Sequence, residues 1–160
     1  MPGGIDFELR KRLHPELATE EEREYMKGID PTRAGIFLHK LYTIASEGNE
    51  TLVKLGGSTG CRWGDTACAI YTRSGDNAVC ATGLYFHAVL GQLGIKYIMK
   101  HWLNDPSVGV KPGDAFFAND PFYMGVHAPD MGVFVPLFYK DQMVCWVGAV
   151  IHSGECGACE

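Results

Sequence analysis

The chain has 160 residues, enough for one folded domain but too few for separate substrate and cofactor domains. Its composition, 46% hydrophobic and 21% charged, is typical of a folded protein and excludes wholesale disorder. The net charge of −5 argues against nucleic acid or an anionic membrane as the main partner, and no apolar run approaches the ~18 residues of a membrane span.

The N-terminal part, residues 1–55, is the more polar part and is predicted to be a helical region that serves assembly. Its first residues lack the basic and apolar regions of a signal peptide, so we expect a cytoplasmic protein. A short helix is predicted over residues 14–27, with Pro15 in its first turn and Gly28 as its stop. A second helix is predicted from Asp30-Pro31, which has the pattern of an N-cap and a first-turn proline.

The second part, residues 56–160, is richer in glycine and predicted to hold the candidate site. Its predicted elements, in chain order, are a loop over 56–60, strands over 67–72 and 78–82 around a hairpin turn, a helix over 84–103, a short segment over 115–118, and a second hairpin with strands over 131–139 and 143–152. The predicted class is therefore α+β: N-terminal helices, then β-hairpins of an antiparallel sheet with one long helix.

Candidate metal ligands are concentrated between the last two sheet segments. The loop Asn119–Asp130 contains Asp120, His127 and Asp130, and two prolines and a glycine give it a defined shape. His152 ends the following hairpin, which can return it to the same end of the sheet. Two carboxylates and two imidazoles suit a divalent metal, with Zn²⁺ expected first and Mn²⁺ or Fe²⁺ as alternatives.

Simpler interpretations of these residues remain open. An aspartate before a proline, as at Asp120, is often only a turn former, and a single loop histidine such as His127 is often a surface residue. His87 is either a core histidine or a residue that lines the same cleft, and we take it as the candidate catalytic residue. The remaining histidines are expected at the surface: His14, His39 and His101.

The cysteines give no sign of a disulfide framework. Cys61, Cys68, Cys80 and Cys145 stand singly, and we expect inert thiols there. Cys156 and Cys159 form the one Cys-x-x-Cys pair, which would extend the metal site, form one with a partner chain, or carry no metal at all.

Six segments together carry a family resemblance. They are Gly113–Pro121, Gly125–Asp130, Val135–Tyr139, Val144–His152, Cys68–Asp76 and Leu84–His87. They resemble the hydantoinase B family, which includes the B half of 5-oxoprolinases and the metal-bearing large subunits of acetone carboxylases. The resemblance covers roughly residues 30–160, and its Asn-Asp-Pro … Gly-x-His-x-x-Asp element is fairly specific.

The resemblance implies a divalent metal site. By position, His127, Asp130 and His152 would be ligands, with Asp120 a ligand or a partner of one. It also implies a hydantoinase A-type partner that binds ATP with Mg²⁺ and phosphorylates a carbonyl or carboxylate oxygen. The B-type chain would then carry out the chemistry on the activated intermediate.

Family members usually continue for several hundred residues beyond this motif, which bears on the function expected. The leading hypothesis is a naturally split subunit of an acetophenone carboxylase-type complex, completed by a larger hydantoinase B-type chain; a fragment of a longer chain is the alternative. Such a complex would use ATP and bicarbonate to convert an aromatic ketone to a β-keto acid. The alternatives are a subunit of an ATP-dependent hydantoinase or 5-oxoprolinase, and a structural metal-binding subunit.

Overall fold

The computed structural model describes residues 5–81 and 83–154. The helices are α1 (Phe7–Arg10), α2 (Glu20–Lys27), α3 (Pro31–Leu55), α4 (Thr59–Arg62) and α5 (Tyr85–His101). The strands are β1 (Thr66–Thr72), β2 (Asn77–Cys80), β3 (Phe116–Ala118), β4 (Asp130–Tyr139) and β5 (Gln142–His152). The predicted α+β class, with helices before an antiparallel sheet, is confirmed.

The N-terminal helices begin where polar side chains cap them. Helix α2 starts at Glu20 rather than near Pro15, because Thr19 and Glu22 form a reciprocal capping box there. Helix α3 starts as predicted, with the Asp30 side chain accepting hydrogen bonds from the first-turn N–H groups. The short helix α1, which Asp6 caps, was not predicted.

The predicted loop over residues 56–60 is shorter than expected. Ser58 accepts a hydrogen bond from the Cys61 N–H at 3.1 Å and thereby caps α4. Helix α3 ends at Leu55, and Gly56 caps it. Helix α4 then packs close to this cap, since a Cβ on Gly56 would lie 2.6 Å from the Cys61 sulfur. The segment is thus half loop and half helix.

The five strands form one antiparallel sheet in the order β2-β1-β5-β4-β3. Both predicted hairpins are present, β1–β2 and β4–β5, although Thr82 lies outside the described residues. Lys140 and Asp141, with φ of 49° and 62°, form the two-residue turn between β4 and β5. The strand register shifts between Leu137 and Phe138, just before this turn. Pairing of β1 with β5 joins the two hairpins into a continuous sheet.

Helix α5 covers one face of the sheet at close range. A Cβ on Gly91 would lie 2.4 Å from the Tyr71 hydroxyl, so only glycine permits this approach. The Tyr71 hydroxyl donates to the Ala88 carbonyl at 3.0 Å, and burial raises the pKa of this tyrosine well above its usual value. Phe134 and Trp146 are fully buried between α5 and the sheet.

Helix α3 covers part of the opposite face, over β1 and β2. Ala45 packs against Ile70 and Val79, and Gly48 lies so close to Cys68 that a Cβ would be 2.7 Å from its sulfur. Burial raises the pKa of the Cys68 thiol, and the same holds for Cys145. Both thiols are therefore less reactive than a free cysteine, as the sequence indicated.

A buried ion pair fixes the N-terminal segment to α5. The Lys96 ammonium lies 2.6 Å from Asp76 Oδ1 and donates to the carbonyls of Arg12 and His14 at 2.6 and 3.2 Å. Asp76 Oδ2 accepts from the Glu16 N–H at 3.0 Å. The segment that links α1 to α2 is therefore held by charged groups rather than by apolar packing.

The three histidines expected at the surface, His14, His39 and His101, are exposed. Across residues 5–81 and 83–154, no helix combines the length and the apolar character that crossing a bilayer requires. Cys156 and Cys159 lie outside the described residues.

Candidate metal centre

The loop between β3 and β4 begins with a tight turn at Asp120. The Asp120 carbonyl accepts from the N–H groups of Tyr123 and Met124 at 3.0 and 2.9 Å. Its carboxylate accepts from the Phe122 N–H at 2.8 Å. This is the arrangement of an Asx turn, in which an aspartate bonds the backbone two residues ahead. Asp120 thus shapes the loop.

The sheet register brings the other three candidate residues together. Asp130 is the first residue of β4 and is paired with His152, the last residue of β5, so their side chains lie on the same face. His152 Nδ1 lies 3.0 Å from Asp130 Oδ1, and His127 Nδ1 lies 3.6 Å from the same oxygen. The two imidazole rings meet edge to face, 4.7 Å between centroids.

Backbone N–H groups of its own loop fix the second oxygen of the Asp130 carboxylate. Its Oδ2 accepts from the N–H groups of Val126 and His127 at 2.7 and 3.3 Å. Burial by itself would raise the pKa of Asp130, but the hydrogen bonds from His152 and from these two N–H groups outweigh burial and hold it below its usual value. A Cβ on Gly125 would lie 2.7 Å from the Asp130 Cβ, so the loop needs glycine there.

A second group of residues supports His152 from the side of α4. The Asp65 carbonyl accepts from the His152 N–H at 3.0 Å, and the Ser58 hydroxyl donates to the His152 carbonyl at 3.0 Å. The Asp65 carboxylate lies 2.8 Å from Nε2 of His87, which is buried in the first turn of α5. Gly60 leaves room for this strand end, since a Cβ there would lie 2.4 Å from the His152 carbonyl oxygen.

The donor set fits a divalent cation. One ligand atom from each of His127, Asp130 and His152 lies within 4.8 Å of the others, the only such group of three or more within the described ranges. Two imidazoles and one carboxylate form a ligand set that divalent Fe and Zn accept, with coordination positions left open for water or substrate. The side-chain exposure rises from 1% at Asp130 to 23% at His152 and 51% at His127. The side of the group at His127 is therefore open to solvent.

The structure brings some of the predicted site residues together and leaves others apart. His127, Asp130 and His152 are brought together, whereas Asp120 stands apart from the group with its carboxylate on the Phe122 N–H. His87 is buried and bonded to Asp65, the arrangement of a core histidine. Asp65 was missed, because a single aspartate after Trp63-Gly64 carries no pattern that predicts a role.

A family model described as hydantoinase B/oxoprolinase matches residues 30–160. The chain therefore belongs to the hydantoinase B/oxoprolinase family, as the motif resemblance predicted.

The similar proteins include subunits of two carboxylases and a 5-oxoprolinase. The chain is 36% identical over 151 residues to the acetophenone carboxylase delta subunit of Aromatoleum aromaticum, covering 92% of this chain and 21% of the relative. It is 30% identical to the acetone carboxylase alpha subunit of Xanthobacter autotrophicus over 89% of this chain and 17% of the relative. It is also 29% identical to the 5-oxoprolinase PfmaA of Pestalotiopsis fici over 81% of this chain and 10% of the relative.

Solved structures share the fold. A nucleotide-free acetone carboxylase superposes with a TM-score of 0.72 at 29% identity, covering 85% of this chain and 17% of that one. The ATP-dependent caprolactamase from Pseudomonas jessenii superposes with a TM-score of 0.60 at 21% identity, a likeness of fold. The chain spans about a tenth to a fifth of the length of the curated relatives named above.

Proposed function

We propose that this chain supplies a divalent metal centre to an ATP-dependent enzyme of the hydantoinase B family, with His127, Asp130 and His152 as the ligands. The observation that carries the proposal is the β4–β5 register, which pairs Asp130 with His152 beneath His127. Zn²⁺ is the metal we expect first, with Mn²⁺ or Fe²⁺ as alternatives.

The metal would supply Lewis-acid chemistry, polarising a carbonyl or enolate oxygen of the substrate. Asp130 provides the negative charge that partly balances the cation, and its buried carboxylate is pre-oriented by the loop N–H groups. His127, half exposed, forms the rim that a substrate would meet. His87 acts as a positioning residue, since its Nε2 is bonded to the Asp65 carboxylate and the Asp65 carbonyl accepts from the backbone N–H of His152.

The reaction we propose is the ATP-dependent carboxylation of an aromatic ketone to a β-keto acid, with bicarbonate as co-substrate. The similarity to an acetophenone carboxylase subunit and to acetone carboxylase supports it. ATP and Mg²⁺ would bind on hydantoinase A-type subunits, and a larger hydantoinase B-type chain would complete the fold. In this scheme residues 1–55 serve assembly, residues 56–160 carry the centre, and the complex works in the cytoplasm.

Ring opening of a cyclic amide is the second candidate, supported by the similarity to 5-oxoprolinase. The two reactions differ in one reactant, because carboxylation consumes bicarbonate and hydrolysis consumes water. ATP hydrolysis by the assembled enzyme should therefore depend on bicarbonate in the first case. Substrate-dependent ATP hydrolysis that is indifferent to bicarbonate would favour the amidohydrolase.

A purely structural metal is the third candidate. A closed structural site has four protein ligands, whereas three donors converge here among residues 5–81 and 83–154. The open, solvent-facing side at His127 favours a site that admits substrate. Metal removal that melts the complex, combined with full activity of a single-ligand variant, would instead support the structural role.

Elemental analysis of the protein purified with its native partners tests the centre. We expect about one Zn, Mn or Fe per copy in the wild type and in His101→Ala, whose histidine is exposed and is not among the gathered donors. His127→Ala should lose the metal and the carboxylation activity while the complex still assembles. His87→Ala should weaken metal affinity about tenfold, and His87→Gln, which keeps a donor for Asp65, should weaken it less.

Two results would contradict these assignments. Metal retained at wild-type level in His127→Ala would remove His127 from the ligand set. Equal destabilisation by His87→Ala and His87→Gln with unchanged metal affinity would give His87 a role in stability alone.

A further inference from the structure

The sheet face opposite α5 is apolar along three strands. On β3, β4 and β5 the side chains that point away from α5 include Phe117, Met131, Val133, Val135, Leu137 and Ile151. None of them is charged, yet Phe117 is 63% exposed and Leu137 42% exposed. Strands that are apolar on both faces are typical of sheets covered on both sides. This half of the sheet therefore has the composition of a covered surface.

Helix α3 borders the uncovered half with an apolar flank. Leu41 packs towards β5, in the cluster that includes Cys145 and Val147, whereas Tyr42 faces a groove along β2. Phe37 and Ile44 lie four residues before and three after Leu41, on the same side of the helix. Helix geometry therefore places them on the flank of α3 away from the β2 groove, and they are 63% and 57% exposed.

Floor and wall together form a trough. The floor is the face of β3, β4 and β5 that bears Phe117 and Val133, and the wall is the α3 flank that bears Phe37 and Ile44. A helix laid beside α3 at about 10 Å from it would cover both. The sheet would then be covered on both faces, with α5 on one side and two helices on the other.

We propose that an amphipathic helix of a hydantoinase B-type polypeptide, from the part of the fold that residues 1–160 do not include, occupies the trough. The matched relatives hold this region within much longer chains, of which it is 21% in the acetophenone carboxylase delta subunit and 17% in the acetone carboxylase structure. The TM-score of 0.72 gives that structure the same fold over the match, and most of that chain lies outside the 17% that is matched. The inference rests on the proposed function for the existence of such a partner and adds where it docks.

Site-specific photo-cross-linking in the cells that make this chain tests the docking. The cross-linking residue p-benzoylphenylalanine replaces Phe117 on the floor or Ile44 on the wall, and replaces Tyr42 on the opposite flank of α3 as the matched control. We expect at least tenfold more product from positions 117 and 44 than from position 42. Mass spectrometry should identify the cross-linked peptide from both positions as one segment of a hydantoinase B-type sequence with helical spacing of its apolar residues.

Each other outcome overturns the proposal. A peptide from within residues 1–160 would make the trough a contact between copies, and a peptide of an unrelated protein or no product would mean that the proposed helix does not bind there. Metal content of the same samples is measured in parallel. Cross-links without metal would refute the proposed centre and keep the docking, whereas metal without cross-links would do the reverse.

Discussion

Gly125 sets the position of the buried carboxylate in the candidate centre. A methyl group there would lie 2.7 Å from the Asp130 Cβ, so Gly125→Ala must displace Asp130 or its loop. We expect a ten- to hundredfold loss of metal affinity, the range seen when groups that orient a ligand are removed. Titration of the metal-free protein with Zn²⁺ measures it.

Gly57→Ala is the matched control, because a Cβ at Gly57 meets no atom within 4 Å. Its metal affinity should equal that of the wild type. If Gly125→Ala also bound Zn²⁺ normally, the tight loop around Asp130 would have no part in holding the metal.

The buried ion pair of Asp76 and Lys96 should make the stability of the protein depend on pH. Burial of Asp76 opposes its charge, but hydrogen bonds from Lys96, the Glu16 N–H and Ser74 outweigh burial and lower its pKa. The folded-state pKa is below the unfolded one, so this carboxylate stabilises the protein above the unfolded pKa. The contribution is lost as pH falls through the lower, folded-state pKa.

Asp76→Asn should therefore cost about 3 kcal/mol of unfolding free energy at pH 7, since the buried Lys96 charge loses the carboxylate at 2.6 Å and keeps only that of Glu16 at 3.9 Å. The cost should shrink at pH values below the usual aspartate range. Urea unfolding at several pH values measures it, with the exposed Asp141→Asn changing stability by less than about 0.5 kcal/mol. A cost that stayed constant down to pH 2 would contradict the assignment to the ionised carboxylate.

At the scale of elements, helix α2 is the one most weakly tied to the rest of the molecule. It has a capping box but no buried residue. Thr19→Ala should cost this helix about 1 kcal/mol, because the cap bond to Glu22 N–H is lost. The global melting temperature should hardly change, since α2 adds little to the core.

Hydrogen exchange separates the two effects. Amides of residues 20–27 should exchange faster in Thr19→Ala, while those of α5 keep their protection. A matched drop in protection of α5 would show that α2 unfolds together with the core, against the burial pattern.

The elements that sequence could predict are those with local signals. The helix predicted over 84–103 and the two hairpins follow from helical periodicity, strand composition and turn residues within short windows. The boundary of α2 was misplaced because Pro15 competes with the capping box at Thr19 as a start signal. The pairing of β1 with β5 could not be predicted, since it joins segments about 80 residues apart without any local pattern.

The candidate site was predictable to the extent that its residues lie in one motif and one strand end. His127 and Asp130 share a loop, and the hairpin returns His152 to it. Asp120 belongs to the same motif but turns away, because its carboxylate bonds the backbone N–H of Phe122. Only atomic geometry distinguishes a loop-shaping aspartate from a ligand.

For the whole molecule, the metal should be a source of stability, because the three donors converge only in the folded state. At a free concentration of one hundred times its dissociation constant, a ligand adds about 2.7 kcal/mol to the free energy of unfolding. For a domain of this size we expect a rise in melting temperature of roughly 5 to 10 °C. Differential scanning calorimetry with Zn²⁺ and with EDTA measures it.

His127→Ala serves as the comparison for that experiment. Its melting temperature should be nearly independent of Zn²⁺. A rise equal to that of the wild type would mean that the stabilising ion binds elsewhere on the chain.

The β4–β5 hairpin has a consequence for how faithfully the centre is formed. Its register is determined by the two-residue turn at Lys140-Asp141 and the adjacent register shift, about 30 Å along β4 from Asp130. Because neighbouring side chains point to opposite faces, a slip of one residue would place Asp130 and His152 on different sides of the sheet. If the proposed centre binds its ion, metal uptake would therefore act as a check on correct strand alignment: a misaligned hairpin would bind no ion, and the ion would select the aligned molecules from a mixed population.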